Sequence, residues 1–216
     1  MFTIIGAGGI GCFLAPALEK LAHGGLTIMD GDRVKRKNLS RQLYEKEHIG
    51  QFKAEVMARR LGVASIHEYF ATNFSVPEGE ILFCCADNMP CRKDVLDAAD
   101  RFHCPAIIGA NETWISEAYV YLPAWKDTEF DPRTYYPQIL TEEAGRPDRP
   151  CHADATLKDN PQTLTANMTA AAFMVRLYFV WFHREHGKKF NAEALRPVHL
   201  RSDKLIMFEV LMKGGR

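Results

Sequence analysis

The sequence has no surplus of either charge: among its 216 residues, 27 Lys and Arg stand against 27 Asp and Glu. A protein that holds nucleic acid or an anionic membrane electrostatically carries a basic excess, so neither is expected as a partner. The cluster Lys35-Arg36-Lys37 is a local exception, and three such residues in a loop are read as solvated. No uninterrupted apolar run approaches the ~20 residues of a membrane span. The start lacks the basic stretch, apolar stretch and cleavage site of a secretory signal. The six cysteines, Cys12, Cys84, Cys85, Cys91, Cys104 and Cys151, include no C-x-x-C pair, so no structural zinc is expected. Internal repeats and low-complexity tracts are missing too. These absences point to a cytoplasmic protein with reduced thiols, and the length suits one α/β domain.

What is present begins with Phe2 to Ile5, a short apolar strand running into Gly6-Ala7-Gly8-Gly9-Ile10-Gly11. Apolar residues then recur at helical spacing through Phe13, Leu14, Ala17, Leu18 and Leu21. His23-Gly24-Gly25 ends that helix, and Leu26 to Met29 forms a second strand that stops at Asp30. This is a βαβ unit with a glycine-rich first turn. The pattern continues with a helix over Phe52 to Leu61, strands over Ser65 to Phe70 and Ile81 to Cys85, a helix from Pro90 to Arg101 and a strand from Pro105 to Gly109. Such alternation predicts a Rossmann-like, mostly parallel sheet with helices on both faces.

After Gly109 the alternation stops. Thr113 to Leu122 reads as a strand outside it, and Pro123 to Asn160 as a long functional or mobile crossover loop. Gln162 to His183 is a long apolar helix. Val198-His199-Leu200 and Leu205 to Leu211 read as a terminal hairpin. We therefore expect a single domain over 1–216, with a nucleotide-binding half (1–110) and a half for acceptor recognition and dimerisation (111–216).

Gly6, Gly8 and Gly11 bring the backbone close to a phosphate at a helix start, and Asp30 is placed to accept from ribose hydroxyls. Any dinucleotide enzyme shares those features. More discriminating is the run Asp30-Gly31-Asp32-Arg33-Val34, followed by Asn38-Leu39-Ser40-Arg41-Gln42, Ile49-Gly50-Gln51-Phe52-Lys53-Ala54, and Cys84-Cys85-Ala86-Asp87-Asn88 with Arg92 one turn later. A nicotinamide-dependent dehydrogenase has no use for an extra Arg, Lys and Asp at its strand ends. ATP-driven adenylation does, because attack on the α-phosphate builds negative charge that cations and Mg²⁺ must hold. Taken singly, Lys53 reads as a surface salt bridge and Asp87 as an N-cap for the helix at Pro90. Neither is expected to hold the fold together.

On these residues the sequence resembles the ThiF/MoeB superfamily, which includes the ubiquitin-activating enzymes. The signature D-x-D-x-V-x-x-x-N-L-x-R-Q is matched by Asp30 to Gln42, and I-G-x-x-K-A by Ile49 to Ala54. The likeness is close from Phe2 to Gly109 and looser after it. It implies that Gly9 contacts the nucleotide, Asp30 the ribose, and Asn38 and Arg41 the phosphates with Gln42 in support. It further implies that Lys53 neutralises the triphosphate, Asp87 holds Mg²⁺ and Asn88 closes the adenosine side. The activity implied is ATP-dependent adenylation of the C-terminal carboxylate of a ubiquitin-like or sulfur-carrier protein, by a homodimer.

Two family features have no counterpart here: an arginine ahead of the first strand that reaches the partner subunit's site, and the zinc-binding cysteines. Either another cation, Arg33, Arg36 or Arg92, replaces the arginine, or the enzyme is slower without it. Cys151, beside His152 in the crossover loop, falls where some relatives carry an acyl-accepting thiol, and reads equally as a packed loop cysteine. The other five cysteines, His103 and His199 are read as structural. Alternatives are adenylation of a small-molecule or tRNA-borne carboxylate, and a non-catalytic subunit of an activating heterodimer.

Overall fold

The computed structural model describes residues 1–22, 25–111, 115–141, 163–185 and 199–201. Among these, seven strands form one sheet in the order β3-β2-β1-β4-β5-β6-β7. Strands β1 (Phe2–Ile5), β2 (Leu26–Met29), β3 (Ala64–Ile66), β4 (Ile81–Cys84) and β5 (Ala106–Asn111) are parallel. The chain leaves β1 toward β2 and β3, then returns to the other side of β1 for β4 and β5. The ends of β1 and β4 therefore flank the point where strand order reverses, which is where open α/β sheets bind ligands.

Strand β6 (Ser116–Tyr121) runs antiparallel to β5, pairing Asn111 with Ser116 and Ala106 with Tyr121. It is the strand expected outside the alternation. Strand β7 (His199–Arg201) adds antiparallel to β6 and supplies one arm of the expected hairpin. The other arm, Leu205 to Leu211, lies outside the described residues.

Central strand residues are buried on both faces, among them Ile4, Ile28, Leu82, Phe83 and Ile107. Helix α1 (Gly11–Leu21) contributes Leu14 and Leu18, α2 (Lys53–Leu61) Val56 and Met57, and α3 (Met89–Phe102) Val95, Leu96 and Ala99. Of the expected crossover loop, residues 123–141 are described and are less irregular than expected, while residues 142–160 lie outside the described residues. A 3₁₀ turn at Pro123–Trp125 precedes two one-turn helices, α4 (Pro132–Tyr135) and α5 (Gln138–Thr141). Arg133 ties α4 to α3 through Asp97 at 3.1 Å and Asp100 at 2.8 Å.

Helix α6 (Leu164–Glu185) buries Ala170, Met174 and Leu177 and packs on β5, β6 and α1. The described apolar side chains of this helix are thus used largely within the chain, with Leu164 and Met168 exposed. The third strand is also shorter than the expected Ser65 to Phe70. Phe70 leaves the sheet to stack on Phe74 with centroids 5.9 Å apart, while the Tyr69 hydroxyl turns back to donate to Asp32.

Candidate active site

The glycine turn lies between β1 and α1, and its glycines answer to different demands. Gly6 has φ +95°, which only glycine adopts freely. A Cβ at Gly11 would collide with the Gly6 carbonyl, and one at Gly9 would stand 2.5 Å from Asn167 Oδ1. Gly8 is under no such constraint: its φ is not positive and a Cβ would meet only Gln42 Nε2, at 3.9 Å. Backbone conformation explains Gly6 and packing explains Gly9 and Gly11, while Gly8 leaves room for a Cβ against Gln42. Helix α1 has neither a capping side chain nor an acid in its first turn, although the N–H groups of Cys12, Phe13 and Leu14 already donate to the Gly8 and Ile10 carbonyls; a phosphate at this helix start would meet the glycine turn ahead of them.

Asp30 follows β2 directly and is nearly buried. Its Oδ2 accepts from Ala7 N and its Oδ1 from Asp32 N, both at 2.7 Å, so it clamps the glycine turn to the second loop. Burial, reinforced by the Asp32 charge, raises its pKa despite Lys53 nearby. Asp32 accepts from Lys53 Nζ at 2.8 Å and from Tyr69 Oη at 2.7 Å. Lys53 is 2% exposed, so it is not the surface salt bridge that an isolated lysine suggests. Burial pushes its pKa down, but Asp30, Asp32 and Asp87 outweigh that and hold the ammonium charged.

The loop from Val34 to Tyr44 carries the remaining polar set. Asn38 is fully buried; its Oδ1 accepts from Lys35 N at 2.7 Å, while its Nδ2 has no partner among the described residues. Gln42 Oε1 is likewise buried without one. Buried polar atoms are normally satisfied; Gln42 lies beside Gly8, and these two atoms are enclosed polar packing that no described residue completes. The Arg41 guanidinium meets no described partner either, whereas its backbone carbonyl accepts from Asn167 Nδ2 at 3.1 Å. Tyr44 braces the loop by donating from its hydroxyl to Ala7 O at 2.6 Å.

Asn167 and Asn111 went unnoticed in the sequence. Asn167 is fully buried on α6 and accepts from Asn111 Nδ2 at 2.8 Å while resting on Gly9. The available signal was a polar residue on the stripe that continues through Ala170, Met174 and Leu177.

Beyond β4, Asp87 is exposed and close enough to Lys53 to raise its pKa. The N-cap of α3 is Asn88, not Asp87: Asn88 Oδ1 accepts from Cys91 N at 2.7 Å. Of the arginines considered as substitutes, Arg33 stacks on Phe52 at 3.7 Å and donates to Gly50 O, so its role is local. Arg36 is exposed. Arg92 is 7% exposed, and its Nε has no described partner. His103 caps α3 in a left-handed conformation, φ 51°, consistent with its structural reading. Cys151 and His152 lie outside the described residues. No cluster of three or more His, Cys, Asp or Glu converges among the described residues. A divalent cation at Asp87 would therefore draw most of its ligands from phosphate and water, as Mg²⁺ commonly does. A cavity of about 620 Å³ lined by Thr3, Met29, Phe70, Phe74 and Glu80 lies elsewhere and includes none of this set.

The profile of the ThiF family matches residues 2–180. The chain belongs to the ThiF family. It is similar to the adenylyltransferase and sulfurtransferase MOCS3 of Caenorhabditis briggsae, 30% identical over 129 residues, which cover 55% of this chain and 32% of that protein. It is also similar to the Nedd8-activating enzyme E1 catalytic subunit of Drosophila melanogaster, 46% identical over 57 residues (26% of this chain, 13% of that one). The tRNA threonylcarbamoyladenosine dehydratase of Escherichia coli is 39% identical over 59 residues (27% and 22%). The matches thus span about a third or less of these ThiF-family relatives. Among solved structures, E. coli MccB with ATP superposes with a TM-score of 0.64 at 20% identity, covering 94% of this chain and 60% of that one. E. coli TcdA in complex with ATP gives 0.65 at 18% identity, covering 88% of each. These superpositions establish the shared fold.

Proposed function

We propose that this chain binds Mg-ATP at the β1/β4 switch point and adenylates the C-terminal carboxylate of a ubiquitin-like or sulfur-carrier protein. The observation that carries the reading is Lys53, held charged by Asp30, Asp32 and Asp87 beside the glycine turn that Asp30 clamps, with Arg41 on the loop that Asn167 ties to that turn. A dehydrogenase needs the glycine turn and Asp30 but not these cations. Membership of the ThiF family and the ATP named with MccB and TcdA support the same reading.

In this site the glycine turn and Arg41 would receive phosphate oxygens, and Lys53 offers a fixed charge beside Asp87, where Mg²⁺ would neutralise the triphosphate. An acceptor carboxylate oxygen attacks the α-phosphorus. The bond to the bridging oxygen breaks, pyrophosphate leaves, and an acyl-adenylate remains. Lys53 is held by Asp32 before the reaction starts, so the growing charge meets a cation already in place.

The test is ATP–pyrophosphate exchange with a ubiquitin-fold carrier ending in glycine. Exchange that disappears when the terminal glycine is removed is the expected result. No exchange, together with a larger rise in thermal midpoint with NAD than with Mg-ATP, would overturn the reading. Exchange driven by tRNA instead would move the assignment to a tRNA-borne carboxylate, which the likeness to the dehydratase supports.

A further inference from the structure

Glu80 is a buried carboxylate that no described cation balances. It ends the crossover from β3 to β4, residues 67–80, and is 3% exposed. Its Oε1 accepts from Thr3 Oγ1 at 2.7 Å. Its Oε2 has no partner among the described residues, yet it is not sealed off from open space. No Lys, Arg, His or chain terminus forms an ion pair with Glu80 among the described residues. A buried carboxylate charge without an answering cation is costly.

Glu80 and Thr3 both line the cavity of about 620 Å³. Four of its other features follow from the strands beneath it. Thr3, Thr27, Ala64 and Leu82 stand in register across β1, β2, β3 and β4, so they share one face of the sheet. Parallel strands are ordinarily joined by helical crossovers that cover such a face. Residues 67–80 form neither helix nor strand, and the stacked rings of Phe70 and Phe74 stand over the face instead. Two rings do not fill the footprint of a helix, and the cavity is the space left over. Small-molecule sites run to about 300–1,000 Å³, mostly apolar with a few placed polar groups, and this cavity answers that description. Its charged side chains are Glu80 and Glu19; no described Lys, Arg or His lines it, and the Met1 α-amino group at its edge makes no ion pair with Glu80.

We propose that this cavity binds a small organic cation, an ammonium group on an aliphatic or aromatic body, with Glu80 as its anchor. The ammonium donates to Glu80 Oε2, while Thr3 keeps Oε1 occupied and the carboxylate oriented. The apolar body lies against Leu82, Met29 and the Phe70–Phe74 rings. A charge-assisted hydrogen bond is about twice as strong as a neutral one, so a cation is favoured over an alcohol of the same shape. An anion of that shape meets two carboxylates and is repelled. None of Asp30, Asn38, Arg41, Lys53 or Asp87 lines the cavity, so the site is separate from the one proposed for the nucleotide and does not depend on that reading.

The full chain is titrated by calorimetry at neutral pH with 3-phenylpropylamine, 3-phenylpropanol and 3-phenylpropionate, which share one body and carry a positive, no and a negative charge. The amine should bind about ten-fold tighter than the alcohol or better, and the propionate should not bind measurably. Binding is located by methyl NMR on the wild-type chain: resonances of Ile66 and Leu82 should shift with the amine, and that of Ile10 at the glycine turn should not. Glu80→Gln keeps the size of the side chain and removes its charge, so amine affinity should fall to that of the alcohol. No amine binding, an amine no tighter than the alcohol, or shifts at Ile10 in place of Leu82 would overturn the site, and each is read on the wild-type chain whether or not the variant folds. Glu80→Gln with undiminished preference for the amine would overturn Glu80 as its anchor.

Discussion

Asn167 rests its carboxamide on the bare face of Gly9, so closely that a Cβ at residue 9 would lie 2.5 Å from the Asn167 Oδ1. The same amide donates to the Arg41 carbonyl and accepts from Asn111. One buried side chain thus fastens α6 to the glycine turn, to the arginine loop and to the end of β5.

The first prediction is a coupling between these positions. Gly9→Ala overpacks the contact and should destabilise the chain by about 1–3 kcal/mol. Asn167→Ala strands the Asn111 amide and the Arg41 carbonyl, with a loss of about the same size. In the double variant the Cβ has room, so the two losses should fall short of additive by at least ~1 kcal/mol in urea unfolding. Strict additivity would mean that Gly9 is fixed by something other than Asn167.

A second prediction concerns Gly8, where glycine is demanded neither by backbone conformation nor by a neighbour. Gly8→Ala should leave the unfolding midpoint of the ligand-free chain within ~0.5 kcal/mol of wild type. Its Cβ would nonetheless fill the space beside the α1 start, so Mg-ATP affinity should fall about ten-fold or more, a loss of ~1.4 kcal/mol. Unchanged affinity by calorimetry would place the phosphate elsewhere.

Much of this was legible in the sequence because the informative residues are local. The strand, glycine turn, helix and Asp30 fall within one βαβ unit, whose periodicity and punctuation are both read over short windows. The segment from Asp30 to Ala54 likewise carries its own spacing. What escaped depends on distant pairs. Asn167 gains its meaning only when α6 is laid against Gly9, and the N-cap passed from Asp87 to Asn88 because helix boundaries are uncertain by a residue or two. The third strand stopped early because Phe70 found Phe74 and Tyr69 found Asp32. A β-prone run cannot announce such contacts. The burial of Lys53 was hidden for the same reason, since it depends on two loops closing over one ammonium.

A third prediction is a loss of stability at alkaline pH. Cys12 and Cys104 titrate at about 12 and about 11 in the native chain, chiefly because burial disfavours the thiolate. In the unfolded chain both ionise near 8.5. Between those values the native state holds more protons than the unfolded state, so stability is complete below pH 8.5 and falls as pH rises. Each thiol adds a slope of about 1.4 kcal/mol per pH unit at most. Urea midpoints at pH 8 and pH 10 should show the decline, and Cys12→Ala should flatten it. An equal slope in that variant would mean that the Cys12 thiol ionises equally in both states.

The last prediction separates Lys53 from Asp87, which the sequence presents as equivalent pocket charges. Lys53 is buried and stands between Asp30 and Asp32, so its removal leaves carboxylates without the cation that balances them. Breaking one side of a buried ion pair is strongly destabilising, on the order of 3–5 kcal/mol. Lys53→Ala should therefore lower the ligand-free unfolding midpoint as well as activity. Adding Asp32→Asn should restore part of the stability, because less negative charge then remains buried, while exchange activity stays lost. Asp87 is exposed at the end of β4 and is the weakest of the three carboxylates that keep Lys53 charged. Asp87→Ala should unfold at the wild-type midpoint within ~0.5 kcal/mol, yet lose ATP–pyrophosphate exchange by about 10²-fold or more as the metal contact disappears. The contrast is read from one pair of measurements on each variant. Lys53→Ala with wild-type stability would show that the carboxylates are held by other means. Asp87→Ala with full exchange would remove Asp87 from the proposed metal site.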